Sequence, residues 1–477
     1  MAFGCQDYLN LKPTNYISLE TTKDVNNLMS SYLYGISNKG WSGTPSVSMD
    51  GVSVDFPYHV GVTTNLMFCA DNIIMKDIPN VSYTWNYFEK DYYQGVDWKP
   101  YDFSKSYWVD CYRNIGFFNV VMDALNKNVD VSSTEYKETY CEAKMLRAMM
   151  FFEVLKFYSP YKNINLGIPI NTSSVSIEGG KRSSQKQSYD FIISELNSVL
   201  KMKFSPTEFN VFYSENHMYA LLAQVYWYKA ESGSKEASDW NNALKFAKKS
   251  LEGRTLTRTA SQLKSLFTSN KIGFNLHNQY SLLILSSARQ SSSNVCAPWG
   301  FGSDKIPVNK DFIKLFDKED IRLEAYFNDH MQIEKWEQNF TVSNIIPLWR
   351  NAEMQLIIAE AYARMNNKSE AKKALNKFKK NRIKGFTSYN KSDVLDEILR
   401  ERRKEFCFEF GYRWLDLRRV EKGFSRIGVS DKVLNSNANK VKFTLKDNDY
   451  RFTLPIPLDE ELKVNDHLEQ NPGWGMI

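Results

Sequence analysis

One pairing recurs along this chain and constrains its fold more than any other feature: a small residue followed three positions later by an aromatic one, inside helical patterning. Ala148 and Phe151, Ala223 and Tyr226, and Ala359 and Tyr362 share that spacing. The last pair is followed by Ala371, Leu375 and Phe378, the middle one by a helical stretch carrying Ala243 and Ala247. A small residue lets two helices approach closely and the ring fills the adjacent groove, which is the spacing of a tetratricopeptide helix pair. Such a pair cannot bury its apolar face alone, so three copies predict a stacked, mostly α architecture.

Apolar periodicity predicts helices over 20–37, 105–126, 134–158, 184–201, 214–231, 238–252, 350–365, 369–382 and 391–411. Between them lie two stretches without a period. Residues 38–104 are rich in Gly and Pro and read as a long irregular loop. Residues 253–348 read likewise, with the run Tyr280 to Leu285 as a short strand. The tail, 412–477, reads as turns with a small β element around Tyr450 to Leu454, packing on the body. The expected organisation is one domain over 1–477. Its N-terminal repeats are 20–37 and 105–252, its aromatic loop insertion is 38–104, and its C-terminal repeat is 349–411.

With 43% hydrophobic and 24% charged residues, the 477-residue chain is ordinary for a protein with a large core. Its net charge of +6 comes from 61 Lys/Arg dispersed among 55 Asp/Glu, not from a basic face, which argues against nucleic-acid binding. The cysteines Cys5, Cys69, Cys111, Cys141, Cys296 and Cys407 form no C-x-x-C pair, so neither a zinc site nor a disulfide scaffold is expected. No run is long and apolar enough to span a bilayer. Gly4-Cys5-Gln6-Asp7 fits the end of a trimmed lipoprotein signal, although on four residues alone a plain cysteine is the better reading.

For catalysis the candidates are Glu401, Glu405, Glu409 and Asp416, which would suit paired-carboxylate glycoside cleavage. They alternate with Arg402, Arg403, Arg413, Arg418 and Arg419, so ion pairing along a helix face is the better expectation. The five histidines are scattered and no nucleophile or phosphate-loop motif is present; Gly300-Phe-Gly302 reads as a turn. No cofactor and no metal are expected.

Binding has the stronger case. Residues 81–101 hold eight aromatics mixed with charged and amide residues. Sugars present apolar C–H faces to rings and leave hydroxyls for short polar side chains, a match for Tyr and Trp. Any single ring more often packs on the body, but the segment is expected to present at least two. Trp85 and Trp98 come first, then Tyr83 and Asn86. Trp299, in a Pro/Gly-bounded loop, is a second candidate, and Asp71 and Asn72 are placed to meet hydroxyls.

Several ordered segments resemble the SusD/RagB family of Bacteroidota surface lipoproteins. They are Cys5-Gln-Asp-Tyr-Leu-Asn10 with Lys12-Pro13, Glu142-Ala-Lys-Met-Leu-Arg-Ala148 with Gly167-Ile-Pro-Ile170, and Leu348-Trp-Arg-Asn-Ala-Glu-Met354 with Ala359-Glu-Ala361. The most specific is Glu401-Arg-Arg-Lys-Glu-Phe406 with Glu409, Gly411, Arg413-Trp414 and Asp416-Leu-Arg-Arg419; Leu454-Pro-Ile-Pro457 and Gln470-Asn-Pro-Gly-Trp474 close the pattern. The resemblance implies about four tetratricopeptide-like helix pairs supporting ligand-binding loops, a lipid anchor on Cys5, and a place on the outer membrane facing outward. It implies a non-enzymatic protein that captures oligosaccharide for a SusC-like TonB-dependent transporter. It also adds Tyr326 and Trp336 to the ligand candidates. Two other readings stay open: peptide capture in the manner of RagB, and a tetratricopeptide scaffold for a protein partner.

Overall fold

The structure, a computed structural model, describes residues 19–38, 46–49, 52–55, 60–80, 90–127, 130–175, 180–204, 213–267, 281–287, 307–335, 344–409, 411–430, 440–457 and most of 462–475. Its body is a stack of helices: α1 (Thr22–Asn38), α4 (Tyr101–Lys127), α5 (Thr134–Tyr158), α6 (Gln185–Lys201), α7 (Glu215–Lys229) and α8 (Asp239–Ser250), continued after a break by α12 (Asn351–Arg364), α13 (Lys368–Lys379) and α14 (Val394–Glu405). Their starts are written in the sequence. Ser133, Ser214 and Asn367 each accept a backbone N–H of the first turn, and Ser184 with Gln187 forms a reciprocal capping box.

Sequential helices pack on one another: α5 between α4 and α6, α7 on α8, α8 on α12, and α12 on both α13 and α14. The small residues sit where the repeat spacing predicts. Ala148, Ala223, Ala243, Ala247, Ala359 and Ala371 are all fully buried, as are Phe151, Leu375 and Phe378. A larger side chain at these points would hold neighbouring helices apart.

Residues 38–104 are more regular than their composition suggests. They contain the hairpin β1 (Ser46–Met49) and β2 (Val52–Asp55), helix α2 (Val60–Cys69), a 3-10 turn (Met75–Asn80) and helix α3 (90–96). Helix α2 shows no amphipathic period because it has no polar stripe; residues 65–69 are all buried. Helix α3 is too short for its period, Tyr92 with Gly95 and Val96 facing inward, to stand out. Gly95 is required there, since a Cβ would lie 2.4 Å from that of Phe68.

Within 253–348, the predicted strand is β3 (Ser281–Ser287), paired antiparallel with β4 (Asn344–Arg350). Short helices α9 (Ala260–Lys264), α10 (Lys310–Ile313) and α11 (Ile321–Tyr326) complete the region. After α15 (Tyr412–Val420) comes a hairpin of β5 (Phe424–Val429) and β6 (Lys440–Leu445). The expected β element at 450–454 is instead a 3-10 turn, Tyr450–Phe452, capped by the Asp449 carboxylate. Leu454 N then donates to the carbonyl of Phe157, fixing the tail to α5.

The charged stretch 401–419 is buried and paired, but mostly not along its own helix. Glu405 accepts from Arg350 at 2.6 Å and from Arg382 at 2.7 and 2.9 Å. Glu401 pairs with Arg322 and Lys404, both at 2.6 Å, and Glu409 with Arg350 at 2.7 Å and with Lys335. Arg402 reaches Asp416, Arg419 reaches Glu360, and Arg418 donates to the carbonyls of Phe452 and Ser159. These carboxylates are consumed in tying α10–α11, β4, α13 and α14 together, which leaves none poised for acid–base work. Burial alone would raise the acids, but the surrounding cations hold Glu401 at about 2 and Glu405 well below its usual range.

Candidate functional site

The segments that carry Tyr83, Trp85, Asn86 and Trp299 lie outside the described residues, as do Trp336 and Cys5. The described residues on either side of them form the candidate site, because they fix where both segments start and end. The chain after α2 pairs with the chain before α10 through an antiparallel bridge, Ile73 with Val308. Ile74 N donates to Pro307 O and Asn309 N to Asn72 O, both at 2.9 Å, and the Asn309 amide adds a bond to Asp71 O at 3.2 Å. The segment 81–89 is entered through the 3-10 turn just beyond this junction, and 288–306 runs back into it. Two stretches far apart in sequence are therefore stitched together at their stems.

Asp71 and Asn72 make the stitch and are not free to meet a ligand. The Asp71 carboxylate takes a bidentate pair from Arg413, at 2.6 and 2.8 Å, and lies 3.2 Å from Arg403. Asn72, only 2% exposed, accepts from Arg403 Nε at 2.9 Å. Burial pushes the Asp71 carboxyl up, yet the hydrogen bond and charge of Arg413, with the charge of Arg403, hold it below the ordinary range. Arg403, buried beside a second guanidinium, is lowered to about 10. Gly411 permits this approach: its φ is +67°, and a Cβ would meet the Leu66 side chain at 2.3 Å.

The far stem of the 81–89 segment is held by the C-terminal hairpin. Trp98, expected as an exposed stacking ring, is fully buried. Its indole N–H donates to Cys69 O at 2.9 Å, and it meets Phe424 edge to face. Arg426, on β5, stacks on Trp98 and donates to the carbonyls of Phe68, Ala70, Gly95 and Val96. These carbonyls are the ends of α2 and α3, so one guanidinium caps both helices where their dipoles are negative. Tyr326 is corrected in the same way. It is fully buried, its hydroxyl donates to Glu405 O at 3.3 Å, and Lys335 sits 3.9 Å from its ring centroid. The resemblance offered Tyr326 as a ligand contact; the Glu405 carbonyl that claims its hydroxyl lies 79 positions away in sequence.

A second space lies inside the stack, between α4, α5, α7, α12, α14 and α15. Tyr107, Trp227, Glu353, Arg402 and Tyr412 line it. Tyr412 and Gln224 both donate to Glu353, at 3.0 and 2.7 Å, and Arg402 lies over Trp227. Its volume of about 40 Å³ has room for a few water molecules and falls far short of the roughly 300 Å³ at which ligand sites begin. Among the described residues no group of His, Cys, Asp or Glu is arranged to hold a metal, and no helix is long and apolar enough to cross a membrane.

The architecture is that of a helical-repeat scaffold, and solved structures share the fold. The family described as "SusD family" matches residues 334–474, and the one described as "Starch-binding associating with outer membrane" matches residues 7–227. A SusD superfamily protein of Bacteroides fragilis superposes with a TM-score of 0.68 at 19% identity, covering 94% of this chain and 99% of its own. A SusD-like carbohydrate binding protein of Bacteroides vulgatus gives 0.66 at 19% identity, covering 94% and 97%. A SusD superfamily protein of Parabacteroides distasonis gives 0.69 at 17% identity, covering 95% and 98%. Identities this low speak to the fold; the two sequence-family matches carry the membership. No curated protein matches the chain. The chain belongs to the SusD/RagB family.

Proposed function

We propose that this protein captures an oligosaccharide at the cell surface and passes it to a SusC-like TonB-dependent transporter, held to the outer membrane by lipid on Cys5. The observation that supports the reading is the junction at Asp71, Asn72 and Asn309, which brings residues that flank 81–89 and 288–306 to one place on the helical body. Those segments supply Tyr83, Trp85, Asn86 and Trp299. Rings stack on sugar C–H faces while amides meet hydroxyls, so capture needs no bond made or broken and no cofactor. The carbohydrate-binding relative and the starch-binding family description support the same ligand class.

The test is affinity electrophoresis against a panel of neutral polysaccharides, with Trp85→Ala and Trp299→Ala beside the unaltered protein. Retardation by one glycan, lost in either variant while the thermal midpoint stays put, supports the proposal. If no glycan retards the protein, peptide capture becomes the better reading, and co-purification with the transporter is the measurement that decides it.

A further inference from the structure

Away from the loop junction, the last turns of α13 and the turn after α8 enclose an open groove of about 660 Å³. Its lining is Arg258, Lys373, Asn376, Lys377, Lys380 and Asn381. An adjoining space of about 170 Å³ shares Arg258, Lys377 and Asn381 and adds Arg254. Cations from two chain segments thus converge on one concavity, and no carboxylate lines either part of it.

In a chain whose 61 basic residues are nearly matched by 55 acidic ones, this is a local excess of positive charge. Several exposed lysines elsewhere have an acid at hand, as Lys186 has Asp190 and Lys314 has Asp311. Here Lys373 has Glu370 at 2.6 Å, an exposed pair of small energetic weight. Among the described residues, Arg258, Lys377 and Lys380 form no ion pair, and all three are exposed. The helix dipole explains a preference for cations at the end of α13, which covers Lys377 and Lys380. It does not explain Arg254 and Arg258, which arrive from another segment.

The amides sharpen the chemistry. Asn376 commits its Oδ1 to Tyr389 N at 2.8 Å, which leaves its NH2 for a ligand. Asn381 commits its NH2 to Lys377 O at 2.7 Å, which leaves its carbonyl oxygen as an acceptor. Cationic donors for acid groups, next to an amide donor and an amide acceptor for hydroxyls, suit a saccharide that carries both. A lipid surface fits less well, since the larger space is concave and has no large apolar side chain in its lining.

We propose that this groove binds an acidic saccharide chain, its carboxylate or sulfate groups meeting Arg258, Lys377 and Lys380. The inference rests on the carbohydrate reading above and adds to it a ligand class and a second site on the helical body. Affinity electrophoresis with polygalacturonate, dextran sulfate and neutral dextran tests it. The proteins compared are the unaltered chain, Arg258→Ala/Lys377→Ala/Lys380→Ala, and the charge-matched Lys23→Ala/Lys127→Ala/Lys318→Ala, whose positions are also exposed. The expected result is retardation by an acidic polymer but not by dextran, weakened at least tenfold in the groove variant and unchanged in the charge-matched one. The proposal is overturned if neither acidic polymer retards the protein, or if both variants weaken equally, which would mean diffuse attraction. It is also overturned if only phosphatidylglycerol vesicles, run in parallel, bind through the groove. The neutral panel with Trp85→Ala reports on the loops alone, so each reading can fail without the other.

Discussion

The guanidinium of Arg426 lies 4.1 Å from the centroid of the Trp98 indole, and the two side chains together close the ends of α2 and α3. Trp98 is therefore a structural residue of the loop stem. Trp98→Ala is expected to cost about 3–5 kcal/mol, the usual range for a large aromatic truncated in a core. Arg426→Lys keeps the charge but loses the fork that serves four carbonyls, and about 2 kcal/mol should go with it. Urea unfolding followed by circular dichroism measures both. A Trp98→Ala protein of unaltered midpoint would contradict the placement of this ring.

Glu405 receives three arginines that come from three other segments, Arg322, Arg350 and Arg382. Glu405→Gln would leave those guanidinium groups buried with one compensating charge fewer. Breaking such a group by removing one partner costs about 3–5 kcal/mol. Glu405→Gln should therefore express poorly or melt far below the parent, whereas Glu319→Gln, at an exposed position, should not move the midpoint.

The same network sets an acid limit. Glu401 and Glu360 are held at about 2 against an ordinary 4.5, burial being outweighed by Arg322, Lys404 and Lys379 for the first and by Arg419 for the second. A depressed carboxyl stabilises the fold above its unfolded pKa and loses that contribution as pH falls through the folded one. Glu353, raised by burial, works in the opposite direction, but it is outnumbered. The melting temperature is expected to be level from neutral pH down to about 5, then to fall steadily between about 4.5 and 2. A melting temperature independent of pH over that lower window would show that these pairs do not form.

How far the sequence discloses this fold depends on the range of the interaction. The repeat helices were legible because their signals are local: Ser133, Ser184 and Ser214 announce starts, and Ala148, Ala223 and Ala359 mark close approach. Helix α2 was not, since burial on all sides erases the polar stripe on which periodicity depends. The site was legible only as composition. The aromatics of 81–101 pointed to a binding loop, but nothing local separates Trp98, claimed by Cys69 and Arg426, from a ring at the surface. Asp71 was singled out as a residue that matters, with the wrong partner, because Arg413 lies more than three hundred positions away.

The close approach at Ala223 gives a direct check on the repeat packing. Ala223 is fully buried on α7, which packs against α6 and α8. Ala223→Leu inserts a branched side chain where helices already touch, and overpacking of this kind costs about 1–3 kcal/mol. Ala223→Gly removes only a methyl and should cost about 1 kcal/mol through helix propensity. Thermal denaturation should rank the parent above the glycine variant and the glycine variant above the leucine one. The reverse order of the two variants would mean that α7 has room there.

The junction at Asp71 makes a prediction that separates positioning from contact. Asp71→Ala leaves Arg403 and Arg413 facing one another without the carboxylate that unites them, and both would swing toward solvent, where the pair is already about 20% exposed. The helical stack keeps its other contacts, so the unfolding free energy should fall by only about 1–2 kcal/mol. The stems of 81–89 and 288–306 do depend on it. Limited proteolysis should cut the variant within those two segments several-fold faster than the parent, and glycan affinity should fall without any ligand-facing ring having changed. Asp71→Glu, which keeps the charge, should restore part of both. If proteolysis is unaffected while affinity is lost, Asp71 touches the ligand after all, and the stitching role assigned to it is wrong.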